Sequence, residues 1–472
     1  MTDFSFFIYD YESFGVDPAR DRPAQFAGIR TDQDFNIIGD PIILYCKQTN
    51  DYLPHPAAVA LTGITPQLCN QQGISEPEFA EKILAEFSQP NTCIMGYNNI
   101  RFDDEMTRYT FYRNFIDPYE YSYSHGNSRW DLLDLVRATY ALRPDGINWV
   151  YDDEGMPSFR LELLTKANGI EHSHAHDAMS DVYATIEMAK LIKQKQPKLF
   201  DYFFKNRGKK ELEQLVDYIN MTPLVHVSGM LGNYRGNTSW MVPLAPHPTN
   251  KNAVIFCDLA SDLSDLLTLD AETLKQNLYT KKTELEQLGK KAVPLKLVHL
   301  NKCPILAPAK TLLPETATRL GIDRQLCLDN LAKLKERPDI REKVHQIYLD
   351  EYSNQYDDVE TALYTGFYPY SDKNNLAILR TLPAEKLADH GLSFQDARIP
   401  ELLFHYRARH FYKTLSRAEQ VKWQKYCRAK LEQYSENFIT ELEKLSAEYA
   451  NDENKLTLLK NLYDYGLKLM MK

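Results

Sequence analysis

The chain has 472 residues, 43% of them hydrophobic and 25% charged, with a formal net charge of −10. That length is too great for a single core and predicts two to four domains. No apolar run approaches the ~20 residues of a membrane helix, and the N-terminus lacks a basic segment and a small-residue cleavage site, so neither a membrane span nor a signal peptide is expected.

Residues 4–10 read as a strand, and "PAQFAGIRTD" and "FNIIGDPIILYCK" as two more, joined by a polar turn around Asp32–Asp34. "EPEFAEKILAEFSQ" has helical spacing, "TCIMGYN" is a short strand, and "DDEMTRYTFYRNF" returns to helix. "WDLLDLVRATYAL" reads as strand or helix and "FRLELLTKANG" as helix. "DAMSDVYATIEMAKLIKQKQ" is a helix with Ala178, Val182, Ile186 and Ala189 on one stripe. These elements make an α/β domain of the first 195 or so residues. "KLFDYFFKNRGKK" reads as a basic, aromatic connector. Short β-like runs such as "PLVHVSG", "TSWMVPLA", "NAVIFCDL" and "PLKLVHL" follow, with a helical excursion near 270–290. Residues 311–345 are helical, the polar "DEYSNQYDDVE" marks a boundary, and the chain from about 395 onward is all helix.

Composition leaves nucleic acid open as a partner. Net charge averages over faces, while binding depends on local patches. The chain also carries 30 Tyr, 21 Phe and 4 Trp on which bases could stack. Seven scattered cysteines with no C-x-x-C pair argue against structural zinc and for reduced thiols in the cytoplasm.

Phe6, Ile8, Asp10 and Glu12 share one face of the first strand, because side chains alternate. Its two carboxylates stand about 7 Å apart and repel each other. A solvent-exposed strand end would tolerate such a pair; a divalent cation between them would use it. In "GYNNIRFDDE", Asp103 follows a strand and starts a helix, where an Asp can also be a simple N-cap. "HSHAHDAMSD" adds His176 and Asp181, although Asp177 and Asp181 could merely favour the positive end of a helix. Together the ordered pieces D-x-E, N-x-x-x-F-D and H-x-x-x-x-D bring four carboxylates to strand ends and helix starts of one unit. Four such groups can hold two hard cations ~3.5–4 Å apart, the arrangement that hydrolyses phosphodiesters. A histidine with a pKa near ~6.5 suits removal of a proton from water.

The set Asp10, Glu12, Asp103, His176 and Asp181 resembles the DEDDh exonucleases, which have an RNase H-like fold. More closely, "DYESFGVDPARDRPAQFAGIRTD", "LTGITPQ", "GYNNIRFDDE", "NSRWDLLDLVRATYALRPDGINW", "PSFRLELLTKANGIEHSHAHDAMSDVYATI" and "PLVHVSGMLGNYRGNTSW" are similar to the bacterial exodeoxyribonuclease I family. The similarity runs through the whole chain, least distinctively at its C-terminal end. It implies a processive, magnesium-dependent enzyme, with manganese as a substitute, that degrades single-stranded DNA from the 3′ end to 5′-mononucleotides in DNA repair and recombination. It implies an α/β exonuclease domain with a mixed sheet over 1–197, an SH3-like β-barrel with helical excursions over 198–350, and a helical domain over 355–472. These would form a C-shaped clamp that works as a monomer. By the same resemblance Asp10 bridges two ions, Glu12 and Asp181 complete the ligand set, and Glu12 also meets the substrate. Asp103 acts on the second ion directly or through water, and His176 is the general base. Arg160, in "SFRLE", contacts the substrate near the scissile end.

"RYTFYRNFIDPYEYSYSHGNSRW" interleaves arginines with aromatics, the mixture expected of a stacking platform with phosphate contacts. Its candidates are Arg108, Arg113, Tyr119, Tyr123 and Arg129, with Arg137 and Arg143 beyond it; the alternative is that about half of these are core. "NYRGNTSW" is either a further strand contact or a plain hairpin. The family binds the acidic C-terminal tail of the single-stranded DNA-binding protein. The basic stretch holding Arg324, Lys333, Lys335, Arg337 and Arg341 is the candidate dock, a solvated helix face being the alternative. Two other functions stay open. An RNA-trimming DEDDh nuclease would leave residues 200–472 unexplained, and a silent nucleic-acid clamp would be expected to have lost a metal ligand.

Overall fold

The structure is a computed structural model and describes residues 4–172, 177–349 and 356–471. Its contacts separate into two units. The first comprises Met1–Ser128, His172–Tyr183 and Ser353–Lys472, and the second Arg129–Glu171 and Ala184–Tyr352.

In the first unit, strands β1 (Ser5–Ser13), β2 (Pro23–Thr31), β3 (Ile42–Tyr45) and β4 (Thr92–Gly96) lie in the order β3-β2-β1-β4. β1 is antiparallel to β2 and parallel to β4, so the sheet is mixed. Phe7, Tyr9 and Tyr11 point to one face, where they pack with Phe26, Phe79, Ile83 and Phe87. Asp10 and Glu12 therefore take the other face, as the alternation requires. The register with β4 ends at Ile8↔Met95, so both acids lie beyond their parallel neighbour's last pair. Gly96 ends β4 where a Cβ would come within 2.8 Å of the Tyr9 carbonyl oxygen, and only glycine lets the chain turn away there.

The expected third strand is shorter than its apolar run, because Gly39, Asp40 and Pro41 interrupt "FNIIGDPIILY": Ile42–Tyr45 pairs as a strand, and before the break Ile37 makes an isolated antiparallel bridge to Thr31. Two helices missing from the sequence reading, Pro56–Thr62 and Pro66–Gln72, each start with proline in the first turn. Both pack on the C-terminal helices Arg417–Glu448 and Glu453–Met470 through Val59, Cys69, Phe438, Leu442, Leu459 and Leu462. The longer helix opens with a capping box in which Ser416 and Glu419 each accept from the other's backbone N–H.

Strand β5 (Ser128–Asp131) carries the chain into the second unit, and its final residue caps helix Leu132–Leu142. A two-strand hairpin, β6 (Val150–Tyr151) with β7 (Pro157–Ser158), precedes helix Leu161–Ala167. Strands β8 (Leu224–Val227), β9 (Thr238–Pro246), β10 (Ala253–Asp258), β11 (Leu295–His299) and β12 (Ile305–Pro308) form an antiparallel sheet in the order β11-β10-β9-β8-β12. Leu224, Met241, Phe256, Val298 and Leu306 make its core. The basic segment expected as a connector is instead helical, as Pro197–Lys205 and Lys209–Leu215. Its Leu199, Phe200 and Phe203 fall at helical spacing and are buried. Among the described residues no helix is long and apolar enough to cross a membrane.

Candidate active site

Three of the expected acids converge in the first unit. Ligand oxygens of Asp10, Glu12 and Asp181 lie within 4.8 Å of one another. Burial, then the charges of Asp103, Glu12 and Asp181, push Asp10 well above the usual carboxylate range. Glu12, only 8% exposed, is pushed up to about 9 by burial and then by Asp181 and Asp103. Hard oxygen donors crowded in this way, each raising the next, fit a divalent cation.

Asp103 is buried in the first turn of helix Asp103–Arg113, yet it is not an N-cap; that place belongs to Phe102. Its Oδ1 accepts instead from the backbone N–H of Tyr11, at 3.1 Å, between the two acids of β1. It stands beside the three-carboxylate group without being one of its members. Its neighbour Asp104 accepts from the Tyr9 hydroxyl at 2.5 Å, tying the helix start to β1 from the core side.

The two aspartates of "HDAMSD" separate cleanly. Asp177 Oδ1 accepts from the Ser180 backbone N–H at 3.0 Å and so caps helix Ala178–Lys195. Asp181, one turn in, faces Asp10 and Glu12. His176 lies outside the described residues. The structure brings in a histidine that the sequence reading passed over: His172 Nε2 lies 2.5 Å from Asp181 Oδ1, with its side chain 3% exposed. The H-S-H-A-H spacing signals that histidines cluster here but not which ring faces which acid.

The expected DNA contacts fall into different surroundings. Arg108 is buried, bonded to Glu105 and the Tyr364 hydroxyl, with its guanidinium 5.3 Å from the centre of the Tyr119 ring. Arg113 is in the core, with Nε and Nη2 on Glu76, where it cannot reach a nucleic acid strand. Tyr123 is 65% exposed, and with it come rings the sequence reading missed: Tyr364, Phe367 at 79% and Tyr370 at 81%. Phe367 meets Tyr119 edge-on at 5.7 Å. The aromatic run "LYTGFYPYSD" was the available signal, because Gly366 and Pro369 interrupt it and its four rings cannot share one buried helix face.

In the second unit, Arg160 is exposed and pairs with Glu162 at 2.5 Å. Arg129 is buried on the Asn301 carbonyl, Arg137 pairs with Asp134, and Arg143 donates to the Leu142 and Thr311 carbonyls. In the basic stretch, Arg324 lies 5.0 Å from the centre of the Trp240 ring and Arg337 is forked onto Asp339. Arg341 is held by the Tyr218 and Ile219 carbonyls, while Lys333 and Lys335 are exposed.

Family models match the chain in three stretches: Exonuclease over residues 7–189, the Exonuclease I SH3-like domain over 207–350, and the Exonuclease I C-terminal domain over 357–469. The chain is 72% identical over 473 residues to exodeoxyribonuclease I of Haemophilus influenzae, covering 100% of both chains. It superposes with a TM-score of 0.96 on Escherichia coli exonuclease I crystallised with a dA16 oligonucleotide, at 55% identity, covering 99% of this chain and 100% of that one. A structure of SSB/exonuclease I with the inhibitor CFAM gives a TM-score of 0.93 at 54% identity, over 99% of this chain and 100% of that one.

Proposed function

The chain belongs to the exodeoxyribonuclease I family of hydrolytic exonucleases, and from that premise we propose that it removes 5′-mononucleotides from the 3′ end of single-stranded DNA by two-metal hydrolysis. The observation that carries this reading is the carboxylate group Asp10, Glu12 and Asp181, within 4.8 Å, with Asp103 bonded to the strand between the first two. Two magnesium ions, or manganese in their place, would be held by these four residues and would supply Lewis-acid activation of water and charge neutralisation at the leaving oxygen. Asp10 would be shared by both ions, Glu12 and Asp181 would complete the set, and Glu12 would also meet the substrate. Asp103, fixed by the Tyr11 amide, serves the second ion directly or through water. His176 takes the proton of the attacking water. Arg160, free of burial, is assigned to a phosphate near the scissile bond.

Tyr123, Tyr364, Phe367 and Tyr370 support a single-strand platform, since exposed rings are sites on which unstacked bases can lie. Arg108 orders that platform from beneath, through Tyr364 and Tyr119. From the E. coli complex with an oligonucleotide and the SSB/exonuclease I structure we take single-stranded DNA and the single-stranded DNA-binding protein as partners of this chain as well. The acidic tail of that protein is assigned to Arg324, Lys333 and Lys335, with Arg337 reaching it only by leaving Asp339. Seven buried cysteine thiols suit a reducing cytoplasm. Residues 1–197, 198–350 and 355–472 are read as the nuclease, SH3-like and helical modules of a monomer acting in DNA repair and recombination.

The test is product release from end-labelled DNA and RNA oligomers of equal length, with magnesium. A 3′ label on single-stranded DNA should be released at once and a 5′ label only late, while RNA and a blunt duplex resist. Endonucleolytic fragments, or equal attack on duplex or RNA, would overturn the reading.

A further inference from the structure

His172 occupies an unusual place for a residue outside the acidic group. Its side chain is 3% exposed and its Nε2 sits 2.5 Å from Asp181 Oδ1. A carboxylate that binds a metal must be ionised and then only accepts hydrogen bonds, so in the metal-binding state Nε2 would carry the proton and donate it. That nitrogen cannot at the same time take a proton from water, which separates His172 from the base role assigned to His176. The same Asp181 carboxylate offers an oxygen within 4.8 Å of ligand oxygens of Asp10 and Glu12. Asp181 needs such a hold. It projects from the first turn of a helix on two rotatable bonds, beside two other carboxylates.

We infer that His172 is a positioning residue, whose Nε2–H fixes the Asp181 carboxylate in the orientation that binds the catalytic metal. The inference rests on the metal reading given above and adds to it a residue that acts through Asp181. Outer-shell partners of this kind usually change metal affinity by about 10–100-fold when removed.

The experiment titrates Mn2+ into the full-length protein without DNA, following free Mn2+ by electron paramagnetic resonance, and then measures cleavage against magnesium concentration. His172→Ala should weaken Mn2+ binding by about 10-fold or more and raise the magnesium needed for half-maximal cleavage by a similar factor. At saturating magnesium its turnover should return to within a few-fold of wild type. His172→Gln, whose amide can donate the same bond, should recover most of the affinity, and it provides the comparison should the alanine variant fold poorly. Unchanged Mn2+ affinity in both variants would overturn the inference and leave the proposed function standing. A large turnover loss that saturating metal does not repair would also overturn it, because His172 would then belong to the chemistry. Nitrogen hyperfine coupling from His172 to bound Mn2+ would make it a ligand and overturn it as well. If wild type bound no Mn2+, the metal reading itself would fall, and this inference with it.

Discussion

Asp51 and Glu360 are more deeply buried than Glu12, yet their surroundings move them the opposite way. Burial alone would raise Asp51, but Arg409 at 2.7 Å, with Lys430 and Arg22 beyond, holds it well below the usual carboxylate range. Glu360 is treated alike: Arg22 donates to it at 2.6 Å, Arg409 pairs with it, and His405 Nδ1 lies 3.0 Å away. Glu12 and Asp10 meet chiefly other acids, and both rise. Both groups lie in the same unit. A buried carboxylate supplied with cations by its own chain is structural. One left among its own kind is made for a cation from solution.

The comparison breaks hardest at the active site. Asp10→Asn should reduce cleavage by at least ~10³-fold, because metal catalysis contributes several kcal/mol of transition-state stabilisation. Single-strand binding, measured by fluorescence anisotropy, should persist. Removing the acid should also raise the stability of the metal-free protein, which no ligand-depleting change in a structural cluster does. More than a tenth of wild-type activity at saturating magnesium would rule out the bridging role.

Arg409→Leu attacks the other group. It strips Asp51 and Glu360 of their closest shared cation and should cost about 3–5 kcal/mol in urea denaturation, the usual effect of leaving buried charge uncompensated. Cleavage per folded molecule should be little changed. A loss below about 1 kcal/mol would mean that Arg22 and Lys430 suffice and that the network is redundant.

Stability against pH should show the two groups as limbs of opposite sign. Burial and its acidic neighbours push Glu12 up from its ordinary 4.5 to about 9 in the folded protein without metal. Between those values the folded state binds more protons than the unfolded one, so stability in EDTA should fall as pH rises, by at most about 1.4 kcal/mol per pH unit for one proton. Asp51 and Glu360 are depressed on folding, so their contribution is present above the ordinary carboxylate range and is lost as pH falls toward their folded values. Saturating magnesium, or Asp10→Asn combined with Glu12→Gln, should flatten the alkaline limb and leave the acid limb unchanged. A slope that survives both would assign it elsewhere.

The smallest effect belongs to a pair between these extremes. His55 is half exposed and donates to Asp21 at 3.3 Å, which raises its pKa. Its stabilisation is present below the ordinary histidine value and lost as pH rises through the raised one. Solvent screening limits it to roughly 0.2–1 kcal/mol. His55→Gln should therefore lower the melting temperature slightly at pH 6 and not at pH 9; equal loss at both would make the contact one of packing.

The sequence made the ligand-bearing group legible because its members sit on local signals. Two acids break an apolar strand, one starts a helix, and one lies a turn inside another. The ion network has no such signature. Arg22, Asp51, Glu360 and Arg409 are ordinary surface residue types, and only the fold shows them meeting. The same limit hid His172, where three histidines in five positions look alike until the helix carrying Asp181 is placed. The helix Pro197–Lys205 is hidden for a different reason: its basic residues mask the helical spacing of the buried Leu199, Phe200 and Phe203.

Arg22 and Glu360, joined in one ion pair, are 338 residues apart. Arg22 leaves a ribosome well before Arg409 and Lys430 do. At roughly 5–20 residues per second, the wait between them is on the order of 20–80 s. The strands from Leu224 to Pro308 come from one continuous stretch and have no such wait. The middle of this chain can therefore finish before its beginning, and the growing polypeptide passes that wait beside its own messenger with its ion network incomplete.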